Sequence, residues 1–422
     1  MSIHDFHWLI VVLFVTLFAA APAFAQRNVE KYRVYIGTET GPGDKEAKGI
    51  YTAILDRTTG QLSEPELAIE CGGPGFLSLH PFRPWLYAIR NARTPDKPGG
   101  EVYAFSRDDA TGKLTLLNIG DVPGAGVTHL GVGVPVQAVE SNGRPGVTVV
   151  GPGVVVVASY GAGTIASLPI LEDGMLGEYA SHIVPEGTPG PHPQRQNKSY
   201  PHGAYVYNST ATHGNVCVPD LGFDVVHRFR VEYPSGKLTP TGTVTLPPGS
   251  GPRHWAAFPR SPRMPLNQPE LSFVVNELTG TVSVIEGNKV SGTYSALPEG
   301  VTPESLNSTS AAIFVHPRGK FLYASNRGTE SSIAVFKINP TSEANGQPTG
   351  ATLTLVQNMS EGVKTPRAFG LTPTGDYLIC ANQTDNSLTV YRVDPETGML
   401  TPTGSRIEVG RPICVVMRPL RQ

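Results

Sequence analysis

Charge is scarce in this sequence. Asp, Glu, Lys and Arg make up only 16% of the residues, and the formal net charge is -2. No long run of one sign occurs, so neither nucleic acid nor an anionic membrane surface is expected as a partner. Cysteine is nearly absent. The four residues Cys71, Cys217, Cys380 and Cys414 include no CxxC pair, which argues against a zinc site. Cys217 and Cys380 stand in apolar strand patterns and read as small core residues. Long hydrophobic runs are missing too, with one exception. Leu9 to Ala21 is apolar but for Thr16, and is followed by Ala23-Phe24-Ala25 and polar Gln26-Arg27-Asn28. This reads as an export signal over 1–25, cleaved after about Ala25. One domain over 26–422 would remain, in a periplasmic or secreted protein. Met1 to His7 contains no Lys or Arg, so an uncleaved anchor is the alternative. The apolar run is short for a span of roughly 20 residues.

Several catalytic signatures are also missing. There is no GxSxG elbow for a serine esterase. No glycine-rich strand-to-helix element suggests a nucleotide fold. No carboxylate cluster has calcium-loop spacing. No cofactor or metal is expected.

Turn formers, by contrast, are abundant, with 47 Gly and 39 Pro, and they punctuate a repeat. A short apolar strand ending near Asn, Asp or Gly recurs seven times. The copies are RVYIGTET from Arg33, WLYAIRN from Trp85, VVVVASYG from Val154, NVCVPDLG from Asn215, LSFVVNELTG from Leu271, FLYASNRG from Phe321 and YLICANQTD from Tyr377. Several are followed by a small polar turn and an alternating strand, such as SSIAVFKI from Ser331. A turn rich in Asp, Thr and Gly, as at Asp108 to Leu114 or Asp394 to Leu400, then leads to a fourth strand. An element of small and apolar residues precedes most copies and also recurs seven times. Its copies begin at Pro74, Gly126, Pro201, Gly251, Thr309, Thr365 and Arg411.

The unit is four antiparallel strands repeating at roughly 48 to 70 residues, as in propeller blades. The fold class is therefore all-β, a seven-bladed β-propeller. The first element, of small residues, is the inner strand lining a central channel. The recurring apolar strand is the second, the alternating one the third, and the last the outer strand. The chain starts on a second strand and ends on an inner one, so both ends complete one blade and leave no free edge. Gly133 to Gly153 is an insertion, read as an extra hairpin or loop.

Antiparallel geometry makes inner strands start where second strands end. One mouth of the channel should then carry His129, His202, Arg253, His254, Arg367 and Arg411 from inner-strand starts. Arg90, Tyr160, Asp220, Asn276, Glu277, Asn326, Arg327, Asn382 and Gln383 join them from second-strand ends. Strand ends in any propeller carry polar residues that cap turns, so the weight lies in their convergence. A mouth with several Arg, some His and one Glu suits a small anionic molecule, because Arg grips carboxylate or phosphate in a fork. His or Glu could activate water.

At these residues the chain resembles the lactonase family of seven-bladed propellers, which includes 6-phosphogluconolactonases and carboxy-cis,cis-muconate cyclases. The likeness runs from about Tyr32 to Pro419. It rests on YIGT…KGIY (Tyr35 to Tyr51), the DxxTGxL turn (Asp56 to Leu62), RQNKSYPH (Arg195 to His202), PPGSGPRH (Pro247 to His254), VVNEL (Val274 to Leu278), HPRGKFLYASNRG (His316 to Gly328) and ANQTDNSLTVYRVDPETG (Ala381 to Gly398). The resemblance implies a site at His202, Arg253, Glu277 and Arg327, with His254, Asn276, Asn326 and Arg367 binding substrate. It departs where Ala204 replaces the second His of the family's PHxH segment and Ala312 replaces a usual Glu.

The implied activity is metal-independent hydrolysis of a sugar lactone by a monomer. Arg253 and Arg327 would hold the anionic group and the developing oxyanion. His202 or Glu277 would be the general base. A Glu beside Arg favours its ionised form and is a weaker base, which favours His202. Two alternatives stay open: a lactonising enzyme like the muconate cyclases, and an exported propeller that only binds its ligand.

Overall fold

The computed structural model describes residues 30–420, apart from 41–45, 91–98, 142–143, 260–269, 307–308 and 345. The expected export signal, 1–25, lies outside the described residues.

Second strands are buried on both faces, which explains why they read as continuous apolar runs. Every residue of Val154–Ser159, Leu271–Asn276, Phe321–Asn326 and Tyr377–Asn382 is buried. Seven such strands each sit second from the channel in a four-layered antiparallel sheet. Blade 1 joins the two ends of the chain. Its second strand, Lys31–Thr38, pairs antiparallel with the C-terminal inner strand, Pro412–Pro419, with Tyr32 opposite Pro419. Its outer position is shared by Gln61–Leu62 and Glu66–Glu70. The inner strands of blades 2 to 7 are Leu77–Leu79, Val127–Gly133, Tyr205–Tyr207, Pro252–Ala257, Ser310–Val315 and Pro366–Leu371. The insertion in blade 3 is a separate hairpin, Val136–Ser141 with Arg144–Val149. Blade 6 departs from the repeat. Its third and outer strands, Ser332–Ala344 and Gln347–Met359, have 13 residues each. Among the described residues the one helical segment is a single turn, Pro303–Leu306.

The core lies between blades. Phe321, Tyr323 and Val335 of blade 6 pack against Phe369, Leu378, Cys380 and Tyr391 of blade 7. The recurring DxxTG turn stitches these layers. Asp394 Oδ1 accepts hydrogen bonds from the Glu396 and Thr397 amides, and Asp56 does the same for Thr58 and Thr59. Gly398 closes its turn at φ 73°, and a Cβ there would meet the Phe321 ring at 2.4 Å. Only glycine suits both demands. Tyr323 then donates its hydroxyl to the Gly398 carbonyl at 2.9 Å. Tyr377 of blade 7 donates to Arg57 of blade 1 at 2.8 Å, so the same stitch crosses the ring closure. None of the four cysteines is paired; Cys217 and Cys380 are buried in blade cores as expected.

Candidate active site at the channel mouth

Four of the expected residues meet at one end of the channel. Glu277, just past the second strand of blade 5, is buried among cations. Its Oε1 lies 2.6 Å from Arg195 Nη2 and 3.5 Å from Arg327 Nη2. Its Oε2 lies 2.8 Å from Arg253 Nε, off the hydrogen-bonding direction, and 3.8 Å from His202 Nε2. Burial by itself would raise the Glu277 pKa. Arg327, Arg253, His202 and Arg195 outweigh it and hold the carboxyl far below its usual range. Burial lowers the Arg253 pKa, helped by Arg327 and Arg367, yet the ion pair with Glu277 keeps the guanidinium charged at neutral pH.

A backbone device aims these groups. Inner-strand pairing slips at a bulge near the mouth in several blades. The slip skips Thr128 in blade 3, Arg253 in blade 5, Arg367 in blade 7 and Ile413 in blade 1. A bulge frees a residue from the ladder and redirects its side chain. All four line one small cavity, together with His202 and His254. Its 30 Å³ can hold a water molecule but not a sugar ring.

His202 closes the cavity from the loop before the inner strand of blade 4. Asp220 pins that loop. Its carboxylate accepts from Ser199 Oγ at 2.5 Å, the Tyr200 amide at 2.7 Å and the Gly222 amide at 2.9 Å. Gly222 is a second obligatory glycine, because an added Cβ would sit 1.7 Å from the Lys198 carbonyl oxygen. Gly222→Ala is therefore expected to displace residues 195–202, cost about 1–3 kcal/mol and expose the loop to limited proteolysis. Thermal melting with a protease time course checks it; wild-type curves in both would refute the pinned loop.

His202 is neutral at neutral pH. Burial first, and then Arg253, press its pKa well below 6.5, with Glu277 opposing. Its Nδ1 has no hydrogen-bond partner. Its ring lies edge-on to Tyr160 at 5.3 Å and to His254 at 5.6 Å. His254 Nε2 accepts from Arg253 Nη1 at 3.2 Å, which leaves the His254 proton on Nδ1. Beyond it His129 accepts the Ala204 amide on Nδ1 and lies tilted against Phe76, with ring centroids 3.8 Å apart. Ala204 and Ala312, where the family pattern has polar residues, line the apolar channel below.

Two expected binders are elsewhere. Asn276 and Asn326 are fully buried within their blades. Asn276 Nδ2 donates to Thr281 and Ser283; Asn326 accepts from Ser310 and donates to Ala296 and Ser332. Ending a second strand turns these amides into ties between strands rather than into groups at the mouth. Arg195 lies outside the strand ends that mark the mouth in the sequence pattern. The connection from an outer strand to the next inner strand lies on the same face, and Arg195 sits on one. Thr309, on another, accepts a hydrogen bond from Arg327. Among the described residues no three His, Cys, Asp or Glu side chains are grouped to hold a metal.

Known proteins share this architecture. Residues 33–417 match the family described as lactonase, 7-bladed beta-propeller. A Bacillus subtilis (strain 168) protein named 6-phosphogluconolactonase is 33% identical over 391 residues, 91% of this chain and 98% of that relative. One of the same name from Formosa agariphila is 27% identical over 378 residues, 87% of this chain and 94% of that one. The crystal structure of a candidate 6-phosphogluconolactonase from Bacteroides fragilis superposes with a TM-score of 0.73 at 27% identity, covering 94% of this chain and 100% of that one. The present chain belongs to the seven-bladed β-propeller lactonase family.

Proposed function

We propose that this protein hydrolyses the ring ester of a sugar lactone at the arginine-lined mouth. The observation that carries the reading is the His202–Glu277 pair beside a cavity of water size. Glu277 faces Nε2 of His202 at 3.8 Å, which favours the proton there and leaves the Nδ1 lone pair free. In the reaction, Nδ1 takes a proton from water as its oxygen bonds to the lactone carbonyl carbon. Glu277 stabilises the imidazolium, in the role an acidic residue plays toward a catalytic histidine. Arg253 and Arg327 stabilise the charge growing on the carbonyl oxygen. The ring C–O bond then breaks, the imidazolium returns its proton to the leaving oxygen, and an open-chain hydroxy acid results. The relatives' names point to the same chemistry.

The test is acid release from glucono-δ-lactone and 6-phosphoglucono-δ-lactone in a pH-stat. Turnover well above the spontaneous rate on at least one is expected. Spontaneous rates on both would remove this reading.

A further inference from the structure

The channel below the mouth cavity has a roof of four rings. Between ring centroids, His129 lies 3.8 Å from Phe76, 4.7 Å from Tyr205 and 5.2 Å from His254. Phe76 and His254 line both spaces, so this layer separates them. Below it the channel encloses about 610 Å³ and runs between all seven inner strands. Its lining reaches Leu79, Ala257 and Leu371, the last residues of their strands, at the face opposite the mouth. Such a volume suits a small-molecule site. The walls are mostly apolar, and among the described residues no Asp, Glu, Lys or Arg lines them.

Two donors in the roof have no partner. His129 Nδ1 accepts the Ala204 amide, which puts the ring proton on Nε2; His254 Nε2 accepts from Arg253, which puts it on Nδ1. Neither N–H has an acceptor among the described residues, although the two residues are only 3% and 7% exposed. A buried donor left unmade is costly, so an acceptor brought by a ligand is strongly favoured there. Both rings are neutral, because burial first, and then Arg253, hold the His129 pKa down at about 3 and that of His254 well below 6.5. A carboxylate would shed its water in the channel and find no cation on the walls. A neutral carbonyl needs only the N–H. We propose that the channel is a second binding site, entered from the face opposite the mouth, for an apolar molecule that carries a neutral carbonyl. The hydrocarbon body fills the space between the inner strands. The carbonyl oxygen accepts from His129 Nε2, which faces the channel alone, with His254 Nδ1 beside it. Lactone chemistry at the mouth takes no part in this binding.

The test is a fluorescence titration with prodan, a naphthyl ketone whose emission moves to the blue in apolar surroundings. Saturable binding of one molecule per chain is expected. Three competitors then separate shape from chemistry: 2-acetylnaphthalene, 2-isopropylnaphthalene, which has the same shape without the carbonyl, and 2-naphthoate. The ketone should displace prodan on the order of 3–10-fold more effectively than the hydrocarbon, and at least about tenfold more effectively than the carboxylate. Glucono-δ-lactone should not displace it. His129→Phe keeps a ring in the roof, so prodan should still bind while the preference for ketone over hydrocarbon disappears. Absence of saturable binding, equal competition by ketone and hydrocarbon, or displacement by glucono-δ-lactone overturns the proposal. A preference retained in His129→Phe does the same. Should that variant fail to fold, anomalous diffraction from wild-type crystals soaked in 6-bromo-2-acetylnaphthalene decides. Bromine between the inner strands supports the site, and bromine elsewhere or nowhere refutes it.

Discussion

Glu277→Gln is expected to destabilise the protein by about 3–5 kcal/mol and to abolish turnover. The amide keeps the shape of the side chain but removes the only negative charge among Arg195, Arg253 and Arg327. Breaking a buried ion pair from one side strands its partner, and here three partners are stranded. The melting temperature should fall by on the order of 5–10 °C. Adding Arg195→Gln to the variant should recover part of the loss, because one surplus charge is removed. The loss should also depend on pH. The folded-state pKa of Glu277 lies far below its unfolded value. Its contribution is therefore complete above the usual glutamate pKa of about 4.3 and fades as pH falls below that. The stability gap between wild type and Glu277→Gln should narrow in acid. Denaturant titrations at neutral pH and near pH 3 measure it. A gap within 0.5 kcal/mol of zero at neutral pH would mean that Glu277 does not hold the mouth together.

His202→Ala carries the second large effect, on rate. Loss of a general base costs about 10²–10⁴-fold. The depressed pKa of His202 places it near the lower end, because a base kept fully deprotonated is also a weaker proton acceptor. The loss is expected in kcat, with KM and melting temperature close to wild type. The wild-type kcat/KM should stay flat from neutral pH down through 6.5 and fall only in more acid solution, where His202 takes up its proton. An inflection near 6.5 would contradict the burial of His202, and full activity in His202→Ala would remove it from the mechanism.

Most of the architecture was legible without coordinates. A blade is a local unit, and its hairpins follow from turn chemistry such as Asp394 to Gly398. The opening on a second strand and the ending on an inner strand require the pairing of Lys31–Thr38 with Pro412–Pro419. Simple strand polarity also put His202, Arg253, Glu277, Arg327 and Arg367 on one mouth. That level of reasoning resolves which face a residue occupies and no further. Asn276 and Asn326 end second strands as Glu277 and Arg327 nearly do. One position along a strand reverses the side chain, so the amides turn inward to the blade while the next residues reach the mouth.

The sequence by itself therefore determined the repeat, the closure of the ring and the gathering of charge at one mouth, because each depends on local periodicity and chain direction. The tertiary structure decided which charges meet. Three arginines from different segments converge on Glu277, Asp220 ties down the loop that delivers Arg195 and His202, and bulges set the aim of Arg253 and Arg367. Those outcomes depend on distances between blades far apart in the chain and on a one-residue slip in pairing, neither of which strand pattern encodes.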